Sequence, residues 1–278
     1  MGGVVEFVGL RADALQPAPA IHPATRLIEC IGDSIMCGAH TERGTPFPNG
    51  CGGEYRGNRE SSHLSWCPSM ARALGAEYQM ECCSGNGLVY TDNPLSASRC
   101  DWGAVPPACG VMPKKWQQRL FCATDGVFTQ EGGICDGLGG LQPLDTSTPP
   151  QAMIVDLGSN DYGSGHIPTT SLWVEAYTDF VRNISATYSP PPEIFLTVSH
   201  CVGKNASIKY CADTRAAFNS MKAAGVENVH FLDITVNGTG AWNTPPGTIG
   251  CDQHPSQTAH ALMGNIAAPK VKAAMGWK

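Results

Sequence analysis

The sequence predicts an α/β fold, a three-layer α/β/α sandwich around a central, mainly parallel five-stranded sheet. Two observations carry this reading. First, five short apolar runs alternate with stretches of helical periodicity, the order in which parallel strands and crossover helices follow one another. Second, three of the runs end in glycine beside small polar residues. Open parallel sheets place their crevice beyond such carboxyl ends.

The elements follow in order. Residues 4–10, VVEFVGL, have strand character, and the Pro/Ala-rich stretch from Gln16 to Thr25 is a linker. The run RLIECI from Arg26 forms the first sheet strand and ends in Gly32-Asp33-Ser34. Residues 41–60 are polar and glycine-rich, hence loop. Leu64, Met70, Ala71 and Leu74 recur at three- and four-residue steps and predict a helix over 63–74. Residues 77–83 form a second strand, closed by Ser84-Gly85-Asn86-Gly87. Residues 91–150 are a long insertion with four cysteines and one helical stretch near 113–121. The third strand, AMIVDL from Ala152, is apolar almost throughout, as a strand covered on both faces requires. It ends in Gly158-Ser159-Asn160-Asp161. An amphipathic helix over 172–187, a strand over 193–198 and a helix over 213–225 come next, the last with Asp213 as N-cap and Gly225 as stop. Residues 229–234 form the fifth strand and 256–275 the final helix.

A net charge of −6 argues against a phosphate-backbone binder, so no nucleic-acid partner is expected. No apolar run is long enough to span a membrane, and no signal peptide is visible at the first residues. Thirteen cysteines include no CxxC pair and no spacing suited to a zinc site, so no metal is expected. Several lie in loop-like segments, where disulfides act as staples. Together with Asn-x-Ser/Thr sequons at Asn183, Asn205 and Asn237, they point to a secreted, extracellular glycoprotein whose signal is not in this chain. The odd cysteine count leaves at least one thiol unpaired or bridged to another chain.

The residues with chemistry sit at the strand ends. Acyl transfer needs a nucleophile, a base, a group that orients the base, and donors for an oxyanion. Ser34, on a strand-to-helix turn, supplies the hydroxyl. His254 supplies the base, and Asp252, two residues earlier, can accept from the other imidazole nitrogen. The backbone N–H groups of Ser34 and Gly85, with the Asn160 amide, make a three-donor oxyanion hole. Taken singly, each residue has a plainer reading: Ser34 and Asp33 as helix caps, Asn160 as a turn residue, His254 as a structural histidine. Asp33 and Asp161 are read as acceptors for backbone N–H groups rather than as proton-transfer groups. Trp66, Trp102, Trp116, Trp173 and Trp242 are available for a sugar-stacking platform, though packing is the better reading of any one of them. His260 is read as a surface or packing histidine.

In that order the blocks Gly32-Asp33-Ser34-Ile35, Ser84-Gly85-Asn86-Gly87, Gly158-Ser159-Asn160-Asp161 and Asp252-Gln253-His254-Pro255 resemble the four signatures of the SGNH (GDSL-like) hydrolase superfamily. The resemblance covers roughly residues 26–278. RLIECIGDSIMCG, ARALGAEYQMECCSGNGLV and GCDQHPSQTAHALMGNIAAPKVKAAMGW are similar, more narrowly, to segments of carbohydrate esterase family 2.

The resemblance implies a flavodoxin-like SGNH domain over 26–278 and a serine esterase that removes O-acetyl groups from plant-type polysaccharides or acetylated sugars. It implies no cofactor. Family members pair an N-terminal β-sandwich with the SGNH domain, so residues 1–25 are read as the last strand of such a sandwich and its linker. The Cys-rich insertion at about 91–150 departs from the family pattern. The acid that orients the histidine varies within the family, and here the resemblance assigns that place to Asp252. A monomer is the default state. Two alternatives stay open: a lipolytic or thioester-cleaving SGNH hydrolase, and an inactive carbohydrate-binding protein on the same fold.

Overall fold

The computed structural model describes residues 26–39, 41, 60–91, 111–116, 144, 146–163, 167–201, 205–235, 250 and 254–278. The strand expected at 4–10, most of the 91–150 insertion, Asp252, Asn237, Trp102 and Trp242 lie outside them. The five sheet strands are β1 (Leu27–Gly32), β2 (Glu77–Cys82), β3 (Ala152–Asp156), β4 (Glu193–Val198) and β5 (Val229–Asp233). All pair in parallel, in the order β2-β1-β3-β4-β5. β1 is followed in sequence by β2 on one side of it, and the chain then crosses to β3 on the other. The switch point, where such folds bind ligands, therefore lies between β1 and β3.

The helices are α1 (Ser34–Cys37), α2 (Trp66–Ala73), α3 (Met112–Lys115), α4 (Ser159–Gly163), α5 (Thr170–Thr187), α6 (Asn205–Ala223) and α7 (Gln257–Ala274). α5 and α6 cover one face of the sheet, α2 and α7 the other. Alternation along the buried strands divides the core accordingly. On β1, Ile28 and Cys30 face α2 and α7, while Ile31 faces α5 and α6. The fully buried Glu29 points the same way as Ile31, where its carboxylate accepts from Trp116 Nε1 at 2.8 Å and Tyr188 Oη at 2.7 Å.

Three expectations need correction. The helix over 63–74 is divided: a 3-10 turn spans Ser62–Leu64, Ser65 is extended (φ −70°, ψ 167°), and α2 begins at Trp66. Pro68 fits the restart, because a residue without an N–H is best accommodated in a helix's first turn. Asp213 is not an N-cap, since α6 begins at Asn205. Its carboxylate instead accepts from Tyr162 Oη (2.7 Å), Thr170 Oγ1 (2.8 Å) and Lys209 Nζ, and so ties α6 to α4 and α5. α4, where the sequence reads as a glycine-rich tail, is a helical turn directly after β3. Of the helical stretch expected near 113–121, α3 ends at Lys115 and residues 117–121 lie outside the described ones. The remaining boundaries agree within two residues; α7 is capped by Ser256, whose Oγ accepts from Ala259 N at 3.3 Å.

The expected staples are present among the described cysteines as Cys30–Cys67, Cys37–Cys82 and Cys201–Cys211. The first joins β1 to α2. The second joins the end of α1 to the end of β2. Trp66, Trp116 and Trp173 are fully buried and serve as core. No helix among the described residues is long and apolar enough to cross a membrane.

Candidate active site

Ser34 opens α1 at the carboxyl end of β1. Asp33 caps that turn: its Oδ1 accepts from Ile35 N at 2.9 Å, and its carbonyl accepts from Cys37 N at 2.9 Å. The Ser34 N–H is a first-turn donor with no acceptor inside its own helix. His254 stands two residues before the Ser256 cap. Its Nε2 lies 2.8 Å from Ser34 Oγ, across 220 residues of sequence. Ser34 is 8% exposed and His254 partly buried. A hydroxyl and an imidazole at this distance have the geometry that a nucleophile and its base require.

The third block reaches the first two. Asn160, in α4, donates from Nδ2 to Asn86 O at 2.9 Å and to Asp33 Oδ2 at 3.2 Å. The Asn160 amide thus joins the carbonyl that follows Gly85 to Asp33, the residue before Ser34. Gly85 has φ +79°, a backbone conformation that disfavours side chains. Of the predicted site residues, Ser34, His254, Gly85 and Asn160 are thus gathered at the carboxyl ends of β1, β2 and β3. Asp252 lies outside the described residues. Gly250 N donates to His254 O at 2.7 Å.

Three buried carboxylates lie beneath this surface. Burial, reinforced by the nearby Asp156 charge, pushes Asp33 well above the usual carboxylate range, against the opposing hydrogen bond from Ile35 N. Burial pushes Asp156 up to about 7, opposed by donors that include Trp66 Nε1 at 3.1 Å and Ser199 Oγ at 3.4 Å. Burial pushes Asp161 up to about 6, opposed by the backbone N–H groups of Leu88, Val89 and Tyr90. His260 is fully buried, and burial with the neighbouring His254 pushes its imidazole down to about 3. It is a packing residue, as one of its two sequence readings had it. Neither ring nitrogen has a hydrogen-bond partner among the described residues.

The sequence reading missed Asp156 as a site neighbour, because it looks like one more residue of an apolar strand. A second serine–histidine contact, Ser199 Oγ to His200 Nδ1 at 3.2 Å, was likewise not foreseen. Ser199 is fully buried, which removes it as a nucleophile toward a solvent-borne substrate.

Fold and site together define a parallel, doubly wound α/β sandwich with a serine–histidine contact at its switch point. No known family model matches the chain. It is 25% identical over 284 residues to the cellulase/esterase CelE of Acetivibrio thermocellus, which spans 99% of this chain and 29% of that protein. It is 24% identical over 267 residues to an acetylxylan esterase / glucomannan deacetylase of Cellvibrio japonicus, across 94% of this chain and 60% of that one. The chain thus spans less than two thirds of the length of either curated relative. Among solved structures, a family two carbohydrate esterase from Clostridium thermocellum in complex with cellohexaose superposes with a TM-score of 0.67 at 24% identity, covering 94% of this chain and 67% of that one. The fold is therefore that of the SGNH-type family two carbohydrate esterases.

Proposed function

We propose that the protein is a serine esterase that removes O-acetyl groups from carbohydrates through an acyl-enzyme on Ser34. The observation that carries this is the 2.8 Å contact between Ser34 Oγ and His254 Nε2 at the switch point of the sheet. His254 takes the hydroxyl proton as Ser34 attacks the ester carbonyl, then returns it to the departing sugar alcohol. Water attacks the acyl-enzyme by the same route and acetate departs. The oxyanion is met by the N–H groups of Ser34 and Gly85 and by the Asn160 amide. To reach it, Asn160 gives up the longer of its two bonds, that to Asp33 at 3.2 Å. A buried carboxyl held neutral is a weaker acceptor than a carboxylate, so the raised pKa of Asp33 eases this exchange. Asp252 is assigned to orient His254.

The relatives' names support a carbohydrate ester as substrate, and the cellohexaose-bound neighbour supports a glycan chain at the crevice. The disulfides support an extracellular, oxidising setting. We assign the catalytic unit to residues 26–278, acting as a monomer.

The test is hydrolysis of 4-nitrophenyl acetate, butyrate and octanoate by the wild type and Ser34→Ala, followed by acetate release from acetylated xylan and glucomannan. The expected result is fast acetate turnover, weak octanoate turnover and a loss of about 10³-fold or more in the variant. Preference for octanoate overturns the small-acyl reading. Ester turnover that survives Ser34→Ala overturns the mechanism.

A further inference from the structure

We infer that Asp161 is a positioning residue for this reaction: its carboxylate holds the loop that carries the Gly85 N–H, and so sets the oxyanion hole. The inference rests on the proposed esterase chemistry. The carboxylate of Asp161 is fully buried. Its Oδ2 accepts from Leu88 N at 2.9 Å, and its Oδ1 accepts from Val89 N at 2.7 Å and Tyr90 N at 2.8 Å. Three consecutive N–H groups turned toward one point form a concave anion site, and here the anion comes from the chain itself. The same loop is closed by an antiparallel bridge between Asn86 and Thr91.

Gly87 leaves room for this contact. A Cβ there would lie 2.1 Å from Asp161 Oδ2 and 2.5 Å from Tyr90 O, so any side chain displaces the carboxylate or the turn. The neighbouring Asn160 grips the loop at its other end, through Asn86 O. Residues 160 and 161, adjacent on one helical turn, thus make four hydrogen bonds to residues 86–90. One of these two residues supplies an oxyanion donor; the other fixes where the second donor stands. Preorganised donors act only when they face the position that the developing charge will occupy. A loop displaced by a fraction of an ångström therefore loses transition-state stabilisation while ground-state substrate binding is kept.

Asp161→Asn tests this. Its amide offers one acceptor oxygen to three N–H groups and presents an N–H to the rest. On 4-nitrophenyl acetate, kcat is expected to fall at least 30-fold with KM within about twofold. In the Asn160→Ala background the added loss is expected to be under threefold, because both changes disable one hole. Folded Asp161→Asn with kcat within twofold of wild type overturns the inference, as does a loss that multiplies in full with that of Asn160→Ala.

Should Asp161→Asn not fold, Gly87→Ala strikes the contact from the loop side. It is expected to lower kcat with KM held, and unchanged kcat overturns the inference. The two hypotheses separate cleanly. Wild type without ester turnover sinks the esterase reading. Amide exchange at Leu88, Val89 and Tyr90 then still judges the clamp, slow exchange supporting it and free exchange overturning it.

Discussion

The two faces of the sheet are held together differently. Under α5 and α6 the core is aromatic. Trp173 meets Tyr162 and Tyr177 edge-on at 5.0 and 5.2 Å, and Trp116 meets Phe180 at 5.8 Å. The polar tips of these rings are paired: Trp116 and Tyr188 on Glu29, Tyr162 on Asp213, Trp173 on Thr214, Tyr210 on Thr197 O. Under α2 and α7 the core is mainly aliphatic, built from Ile, Met, Leu and Ala, with Trp66 and Phe195 its two large rings. The helices approach closely, with Gly264 against Ser69 and the Trp66 carbonyl, and Cys30–Cys67 bolts α2 to β1. Here the polar accounts are less complete, as His260 has no partner on either nitrogen among the described residues. One face depends on directional pairing of large rings, the other on close packing and a covalent link.

The largest effect should come from breaking the aromatic face. Trp173→Ala removes a fully buried ring and orphans the Thr214 contact, and is expected to cost about 3–5 kcal/mol in urea-induced unfolding. A cost under about 1 kcal/mol would show that this face does not rely on its rings. Next, Cys30→Ala with Cys67→Ala opens a link across 37 residues. On loop-closure entropy it should cost about 3–4 kcal/mol at most, seen as a lower urea midpoint.

Asp156→Asn sharpens the comparison where the α2/α7 face meets the site. The folded-state pKa of Asp156 is raised to about 7, so the fold favours the neutral carboxyl. That contribution is present in full below about pH 4, the unfolded value, and is lost as pH rises through about 7. The Asn variant lacks this dependence. Its Tm relative to wild type should rise by a few degrees between pH 5 and pH 8 (~2–4 °C per kcal/mol in a domain of this size). A difference that stays flat across that window would mean that burial does not control this group. The smallest expected effect is His260→Leu. It removes an imidazole that has no partner among the described residues, at similar volume, and stability should change by less than about 1 kcal/mol or increase. A loss of 3 kcal/mol or more would reveal a partner that the packing hides.

Much of this was legible in the sequence, for local reasons. β1 and β3 to β5 stand out as short apolar runs because parallel strands, covered on both sides, leave little room for polar residues. Gly225, with φ +80°, lies just past the end of α6, where short-range chemistry decides. Asp213 misled for a related reason. Asp before a helical pattern is a good cap signal, yet here its carboxylate is engaged by Tyr162 and Thr170, groups 51 and 43 residues away. The break at Ser65 was written in Pro68, but the three- and four-residue spacing outweighed it. Asp156 reads as strand and Glu29 as an oddity within one. Only their partners on α2, just past α3 and just past α5 give them roles.

The sequence by itself determined the class of fold, the order of its elements and the chemistry gathered at the ends of three strands. These follow from periodicity and from the few residue types able to perform acyl transfer. Tertiary structure alone decided that β2 lies beside β1 with β3 on its other side, that Ser34 and His254 meet across 220 residues, and that Asp161 turns from a loop residue into the anchor of the Gly85 segment. Contacts of that span carry no local signature. They form only when the sheet registers its strands and the burial of both faces fixes which side chains converge.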